Sequence, residues 1–553
     1  MTKASHELPS TGANGAARAR ALAGEPQHEF TPTSLVNYVS QGRLLIIGPD
    51  SDCLSTAATL RDDLECTLWV PSDTPPVTSL ENGFRVIRGG RPALKGALGQ
   101  YKISVIQPDD ASPLDKKLLE YDLVLDQGSP RLIDAEILPV GYYSPSSPES
   151  LERDLKLLPG MTGEFEKPKY FQYNPDICAH GRSGVPGCTR CLDACPAVAI
   201  TSLGDTVSVD PYLCQGGGSC VAACPTGAMT YAFPKVSELL GHIQTLLTAY
   251  QEAGGEDPIL LFHDGWSGMA IYGGLAESLS ERIIPVQLEE IGSIGMDAWM
   301  ASLAFGAAGV LMAVTGGTPA RMRSELADQI SFSQPILQGM GYPEDCLGLV
   351  DVEQPDAAGR LGDSLPRSQV KRAARFVPQE DKRTTLRNAF NHLYSQAGST
   401  RKSVDLPAAA PFGDIRVDKQ ACTLCMGCVA VCPTKALRDG ADLPQLKFME
   451  WDCVQCGLCE KACPEDAITR HARFVYDNDK RHQVRLLNEE QPLCCIVCGK
   501  AFATQSMLKV VSEKLDGHWM FQTEDAKRRL YMCEHCRVKD MMQSQADKSD
   551  MPI

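Results

Sequence analysis

An excess of basic residues is absent from this 553-residue chain: 53 Lys and Arg stand against 69 Asp and Glu, a net charge of −16. That balance disfavours nucleic-acid binding, and no helix-turn-helix pattern is recognisable. The first thirty residues, MTKASHELPSTGANGAARARALAGEPQHEF, lack the apolar core of a signal peptide, and Arg18 and Arg20 are not adjacent as a twin-arginine signal requires. Residues 1–30 are therefore expected to form a disordered tail. Evenly spaced cysteine pairs are also lacking. The 23 cysteines are clustered, which argues for metal ligation in a reducing cytoplasm rather than for disulfides. No G-x-G-x-x-G follows the strand-like RLLIIG (43–48), where Gly48 stands alone, so a dinucleotide site has weak support. No nucleophile–base pair appears, and catalysis by this chain alone is not supported. A charge-free run of twenty residues, Ala298 to Gly317, has the length of a membrane helix. It splits at Gly306–Gly309 into helix-like AWMASLAF and strand-like VLMAV, so a helix and a buried strand are predicted, and the chain is expected not to be membrane-embedded.

What is present is cysteine in ordered runs. Cys422, Cys425, Cys428 and Cys432-Pro433 read C-x2-C-x2-C-x3-C-P, and Cys453, Cys456, Cys459 and Cys463-Pro464 repeat it. This is the bacterial dicluster ferredoxin pattern, in which the fourth cysteine of each run ligates the other cluster. One 4Fe–4S cluster is assigned to Cys422, Cys425, Cys428 and Cys463, and a second to Cys453, Cys456, Cys459 and Cys432. Gly427 and Gly457 let the backbone pass close to the sulfides. Zinc would use two C-x2-C pairs and leave the third cysteine and the proline without purpose.

Residues 178–225 hold a damaged copy: Cys178, Cys188, Cys191, Cys195-Pro196, Cys214, Cys220 and Cys224-Pro225. Val185 and Gly217 occupy positions where the regular pattern has cysteine. Cys188, Cys191 and Cys224 can hold one cluster, with Cys178 reaching in over a loop as fourth ligand and His180 as a weaker substitute. Cys195, Cys214 and Cys220 then remain. Three thiolates suit a 3Fe–4S cluster or a cubane with a labile iron; the alternative is a single cluster with spare cysteines. Beyond the second run, Cys495-x2-Cys498 and Cys533-x2-Cys536 form two knuckles fit for a four-thiolate site, structural zinc or rubredoxin-type iron. Cys494 is expected to point away, and His518 and His535 are spare candidates.

The remaining chain predicts a multidomain α/β plus α+β architecture. Residues 31–160 alternate RLLIIG, a helix-like CLSTAATLRDDL, CTLWV, FRVI, ISVI and DLVLD, suggesting a small parallel sheet covered by helices, with Cys53 and Cys66 as buried apolar residues. An atypical ferredoxin-like module spans 161–235. Residues 236–355 give a second, doubly wound α/β domain, whose strand ends single out His263, Asp264, Trp266 and the Thr315–Thr318 loop as candidate ligand positions or ordinary loop residues. A helical connector and linker follow at 356–410; within it, 367–387 carries seven Lys or Arg against two acids, suited to an acidic partner or to a solvated face. The dicluster module is expected at 411–475 and a zinc-ribbon-like segment at 476–545.

The string ICAHGRSGVPGCTRCLDACP, LCQGGGSCVAACPTGA, the dicluster module and CCIVCGK…MCEHC resembles the large cytoplasmic 4Fe–4S binding proteins associated with bacterial formate dehydrogenase gene clusters. The resemblance covers about residues 40–540 and implies a cytoplasmic electron-transfer or accessory role with formate dehydrogenase subunits as redox partners. Residues 256–350 also resemble the small delta-subunit domain of methyl-viologen-reducing hydrogenases, but only Cys346 is present where that family holds a 2Fe–2S cluster, which leaves a docking surface. Three functional readings result: a multi-cluster electron carrier, a flavin- or nicotinamide-binding oxidoreductase subunit, and an accessory protein that matures formate dehydrogenase.

Overall fold

A computed structural model describes residues 8, 10–24, 30–73, 77–105, 119–362, 365–441 and 443–549. The continuous apolar runs of the N-terminal part become buried parallel strands. Arg43–Ile47 sits between Leu123–Asp126 and Glu65–Pro71, with Phe84–Gly89 next and Val77–Glu81 antiparallel at the edge. Helix Asp50–Leu60 packs Cys53, Ala57 and Leu60 onto this sheet, and Cys66 lies in the same core. The ISVI run departs from expectation. Tyr101–Val105 pairs antiparallel with Pro92–Lys95 and Leu119–Tyr121 in a separate sheet. Its pattern explains this: Tyr101 and Ile103 are buried while Lys102 is exposed, the alternation of a strand with one wet face. Ile106 lies outside the described residues.

The second α/β domain is a four-stranded parallel sheet in the order Ile283–Gln287, Ile259–His263, Gly309–Val314, Leu347–Asp351. Both faces are covered, as a doubly wound sheet requires. Leu260, Phe262, Val310 and Met312 pack under Val236–Glu252 and Met296–Ala304, while Leu261, Leu311 and Ala313 meet Ile271, Leu279 and Leu361. The charge-free run divides as expected, into Met296–Ala304 and Gly309–Val314, turning at Gly306 with φ 111°. Among the described residues no helix is long and apolar enough to cross a membrane.

Two expectations need correction. The N-terminal tail is not wholly disordered: Ala13–Ala23 is a helix packed on Val236–Glu252, with Ala17 and Ala21 buried. Its small residues allow close approach. Glu281 accepts the free first-turn N–H groups of Gly12 (2.8 Å) and Gly15 (3.2 Å), and buried Arg18 donates to the Ser280 and Ile283 carbonyls. The connector is not helical over 367–381. It runs extended there along the domain, Phe376 packing on Phe305 with centroids 4.9 Å apart, and the connector's helices are the short Ala357–Arg360 before it and Lys382–Ala397 after it, the latter capped by Asp381. Pro378 removes a donor and disfavours helix at Val377, so the helix starts after it.

The cysteine modules lie on either side of this helix's first turn. The atypical one pairs Phe171–Tyr173 with Met229–Tyr231 and Ile200–Ser202 with Val207–Val209. The dicluster module has two three-stranded sheets. One draws in Ser403–Asp405 from the expected linker, and the other draws in Val484–Glu489 from the expected C-terminal segment. The module thus reaches past both sequence-drawn edges, because its hairpin strands need partners to satisfy their outer N–H and C=O groups.

Candidate metal centres

Each C-x2-C-x2-C run folds as a tight loop that ends in one helical turn, Gly427–Ala430 or Leu458–Lys461. The loops need left-handed backbone between the cysteines, seen at Leu424, Met426, Gln455 and Gly457. Cys422, Cys425, Cys428 and Cys463 line one cavity; Cys432, Cys453, Cys456 and Cys459 line another. The chain thus crosses between the two cavities. Apolar walls surround both: Leu424, Leu446 and Ile468 at the first, Ile415, Phe448 and Leu458 at the second. Sulfurs receive N–H donors, with Ala467 N 3.3 Å from Cys463 Sγ and Gln455 Nε2 3.3 Å from Cys453 Sγ. Burial pushes the thiols of Cys428 and Cys453 up to about 12. Four such thiols around one small apolar cavity fit a cluster, whose iron charge offsets the cost of buried thiolates.

In the damaged array, the ten-residue step from Cys178 to Cys188 is closed by a hairpin. Gly181–Arg182 pairs with Val185–Pro186, Cys188 N donates to Ala179 O (2.8 Å) and Gly187 N to His180 O (2.7 Å). This folds the insertion outward and returns Cys178 beside Cys188. Val185, in the vacated cysteine position, lies on the hairpin. The Cys191 thiol is pushed up to about 12, first by burial and then by its neighbours Cys224, Cys188 and Cys178. Cys178 and Cys224 share one core with Cys191 packed against it, and the Cys188–Ala179 bond holds Cys188 beside them. His180 is not available: Nδ1 is 2.8 Å from Cys188 O and Nε2 2.7 Å from Ser202 Oγ, so both ring nitrogens are engaged. Cys195, Cys214 and Cys220 form the other group. Burial pushes the Cys220 thiol well up, and Cys214, Cys195, Cys191 and Cys224 add to the shift. Ala199 N lies 3.4 Å from Cys195 Sγ, matching the Ala467–Cys463 contact four residues on. The three atoms nearest a Cβ built on Gly217 belong to side chains, Met322 Cε and Pro196 Cγ at 3.4 Å and Ile137 Cδ1 at 3.6 Å.

The sulfurs of Cys495, Cys498, Cys533 and Cys536 all lie within 4.8 Å of one another, with Cys498 and Cys533 3.7 Å apart. Four thiolates tetrahedrally placed about 2.3 Å from an ion would be about 3.8 Å apart, so the donor set fits one metal ion. Burial opposes ionisation of Cys495, but N–H groups of Cys498, Cys533 and Val497 outweigh it and bring the thiol down to about 6. Cys494 is exposed and stands apart, as do His518 and His535.

Of the strand-end candidates, His263, Asp264 and the Thr315–Thr318 loop are occupied in structural roles. Asp264 accepts from Ser267 N and Oγ, both at 2.8 Å, as the cap of a short helix. Buried His263 meets Asp264 O (3.0 Å) and Tyr272 OH (3.5 Å). Thr315 N donates to Thr318 Oγ1 (3.0 Å), and Trp266 is 76% exposed. Cys346 is buried in the core of the second α/β domain. Sequence reading missed Lys382 and Arg383. The first of this adjacent pair donates to the Val221 and Ala222 carbonyls at 2.8 Å, just before Cys224. The second donates to the Trp451 carbonyl, just before Cys453, and stacks on the Trp451 and Phe412 rings. Nothing in a basic run marks which two members turn inward; only the cap at Asp381 marks where their helix starts.

Comparison with known proteins agrees with this geometry. A model of the 4Fe–4S dicluster domain matches residues 414–464, and one of the 4Fe–4S binding domain matches 207–230. NADH-quinone oxidoreductase subunit I 2 of Geobacter metallireducens is 33% identical over 118 residues, 90% of its own length and 19% of this chain. Ferredoxin-1 of Caulobacter vibrioides is 42% identical over 50 residues, 42% of its length and 9% of this chain.

Proposed function

Because the chain belongs to the ferredoxin-type 4Fe–4S proteins, we propose that it is a multi-cluster carrier that passes single electrons between partner oxidoreductases. Two 4Fe–4S clusters are assigned to Cys422, Cys425, Cys428 and Cys463 and to Cys453, Cys456, Cys459 and Cys432. A third is assigned to Cys178, Cys188, Cys191 and Cys224, and a 3Fe–4S cluster to Cys195, Cys214 and Cys220. Cys495, Cys498, Cys533 and Cys536 are assigned a structural zinc. When bound, iron–sulfur clusters take up and give back one electron at a time. The polypeptide ligates them, keeps water out with apolar walls, and aims the N–H groups of Ala467, Ala199 and Met229 at ligand sulfurs. Those features tune the potentials.

The observation that carries this reading is the sorting of eight thiols into two separate apolar cavities, three from one run and one from the other in each. The resemblance to proteins of formate dehydrogenase gene clusters makes formate dehydrogenase subunits the proposed partners and the cytoplasm the proposed location. A second reading, an accessory protein for that dehydrogenase, draws on the C-terminal segment, which exposes Ile496, Val497, Trp519 and Met542. Deleting the gene separates the two: loss of cofactor-loaded dehydrogenase supports the accessory role, and loss of electron output alone supports the carrier. The direct test is iron, zinc and acid-labile sulfide per chain after anaerobic purification, with EPR before and after dithionite. About fifteen irons, one zinc and a 3Fe–4S signal in the oxidised sample are expected. About eight irons would reduce the chain to a two-cluster ferredoxin with a degenerate first array.

A further inference from the structure

The two cysteine modules are in direct contact, and the contact joins particular sites. The hairpin that carries Cys188 lies against the helical turn between Cys456 and Cys463. Lys461 Nζ donates to Pro186 O at 2.9 Å, and a Cβ on Gly187 would fall 2.9 Å from Leu458 Cγ. That Cβ would also fall 2.3 Å from Ala179 O, so glycine at 187 serves both its own hairpin and the approach, one residue from a proposed ligand on each side: Cys188 on one module, Cys459 on the other. The junction is held at its flank by Arg190, which donates to Ala409 O, and by Lys382 and Arg383, each binding the carbonyl end of one module's loop.

Outward from this junction the order is set on both sides. Pro186 and Gly187 put the Cys188 group at the junction, while the Cys195, Cys214 and Cys220 group is held by residues outside the dicluster module, so the three-thiolate group is the outer one. That far end is enclosed. Gly218 backs onto Ser293 of the second α/β domain, Arg321 Nη1 donates to Cys195 O (3.0 Å), and Lys167 Nζ donates to Cys214 O (2.6 Å). At the opposite end Cys425 is the only exposed member of the fifteen proposed cluster ligands.

We propose that the two modules form one line of four centres, ordered 195/214/220, 178/188/191/224, 432/453/456/459 and 422/425/428/463, with the Gly187–Leu458 contact at the junction between the middle two and the Cys425 end open to a one-electron protein partner. This rests on the electron-carrier reading above. Each transfer oxidises one centre and reduces its neighbour by one electron, with no bond made or broken; the partner protein is the reductant or oxidant at the open end.

The test is EPR of the dithionite-reduced full-length holoprotein. Neighbouring reduced centres broaden and split each other's signals, so the wild type should show interaction-split spectra. Cys188→Ser should remove the splitting contributed to the 432/453/456/459 centre, and Cys456→Ser should do the same for the 178/188/191/224 centre, so either variant suffices if the other does not accumulate. Cys425→Ser, at the far end, should leave the 178/188/191/224 signal unchanged. Full iron content with no splitting lost in Cys188→Ser or Cys456→Ser would overturn the line and leave the carrier reading standing. About eight irons per chain in the wild type would overturn the four-centre line and leave a two-cluster ferredoxin.

Discussion

Replacing Gly217 by cysteine restores the thiol that the regular pattern has at this position, and the structure indicates that it fits. The new Cβ would lie 3.4 Å from Met322 Cε and Pro196 Cγ and 3.6 Å from Ile137 Cδ1, close to ordinary contact, and the nearest of these is the mobile end of a methionine. Overpacking a tight core costs about 1–3 kcal/mol; with contacts this long the expected cost is at the low end, about 1 kcal/mol. The neighbouring Gly218 is the control. Its φ is 75°, and its Cβ would lie 2.3 Å from Ser293 Cα, a backbone atom. Left-handed strain of about 1–2 kcal/mol adds there to the overpacking cost, several kcal/mol in total. Gly217→Cys should therefore purify folded, gain about one iron per chain and lose the 3Fe–4S signal of the oxidised protein, while Gly218→Ala should lower the melting temperature and lose iron. Iron analysis, EPR and anaerobic thermal denaturation read all three. A folded Gly217→Cys protein with unchanged iron and an unchanged oxidised signal would refute the three-thiolate assignment.

Cys425→Ser should remove one cluster of the intact module, about four irons, or convert it to a 3Fe–4S form; an unchanged iron count and EPR spectrum would refute its ligand role. Cys498→Ser should lose one zinc and local structure at 492–536 yet stay brown; bleaching would mean that this site holds iron. Lys382→Met leaves Asp297, 3.8 Å away and 9% exposed, without its cation, and should destabilise by about 3–5 kcal/mol, with partial recovery in Lys382→Met/Asp297→Leu, both followed by thermal denaturation. Burial raises the Glu325 carboxyl to about 7, against the bond from Gln329 and the charges of Arg190 and Lys382. Its folded value lies above the unfolded one, so its contribution is fully present below about pH 4.5 and is lost as pH rises through about 7. Glu325→Gln should abolish that loss, about 3 kcal/mol, and raise the melting temperature more at pH 8 than at pH 6; equal shifts at both would refute the assignment.

Much of the proposed site could be read from spacing, because short-range geometry governs it. Three cysteines separated by two residues each can face one point, and a fourth that comes four residues later is carried past it. The hairpin at 181–186 was less legible: an insertion between Cys178 and Cys188 has no length rule, and it is the paired strands and the bonds of Cys188 and Gly187 that return the chain. His180 looked available in sequence because nothing nearby foretold Ser202, twenty-two residues on, as its partner. The alanine-rich N-terminus read as disorder because it has no apolar face of its own. It folds by borrowing a surface from Val236–Glu252 and a carboxylate from Glu281.

The sequence alone determined the kind of chemistry, the grouping of cysteines within each run, and the apolar strands of both α/β domains, since these depend on neighbours a few residues apart. Only the tertiary structure decided how the groups stand to one another: which lysine and arginine of a basic run turn inward, which end of the molecule is open, and that Gly187 meets Leu458 more than two hundred and fifty residues away. Contacts at such separation arise from whole surfaces fitting together, and no local pattern records them.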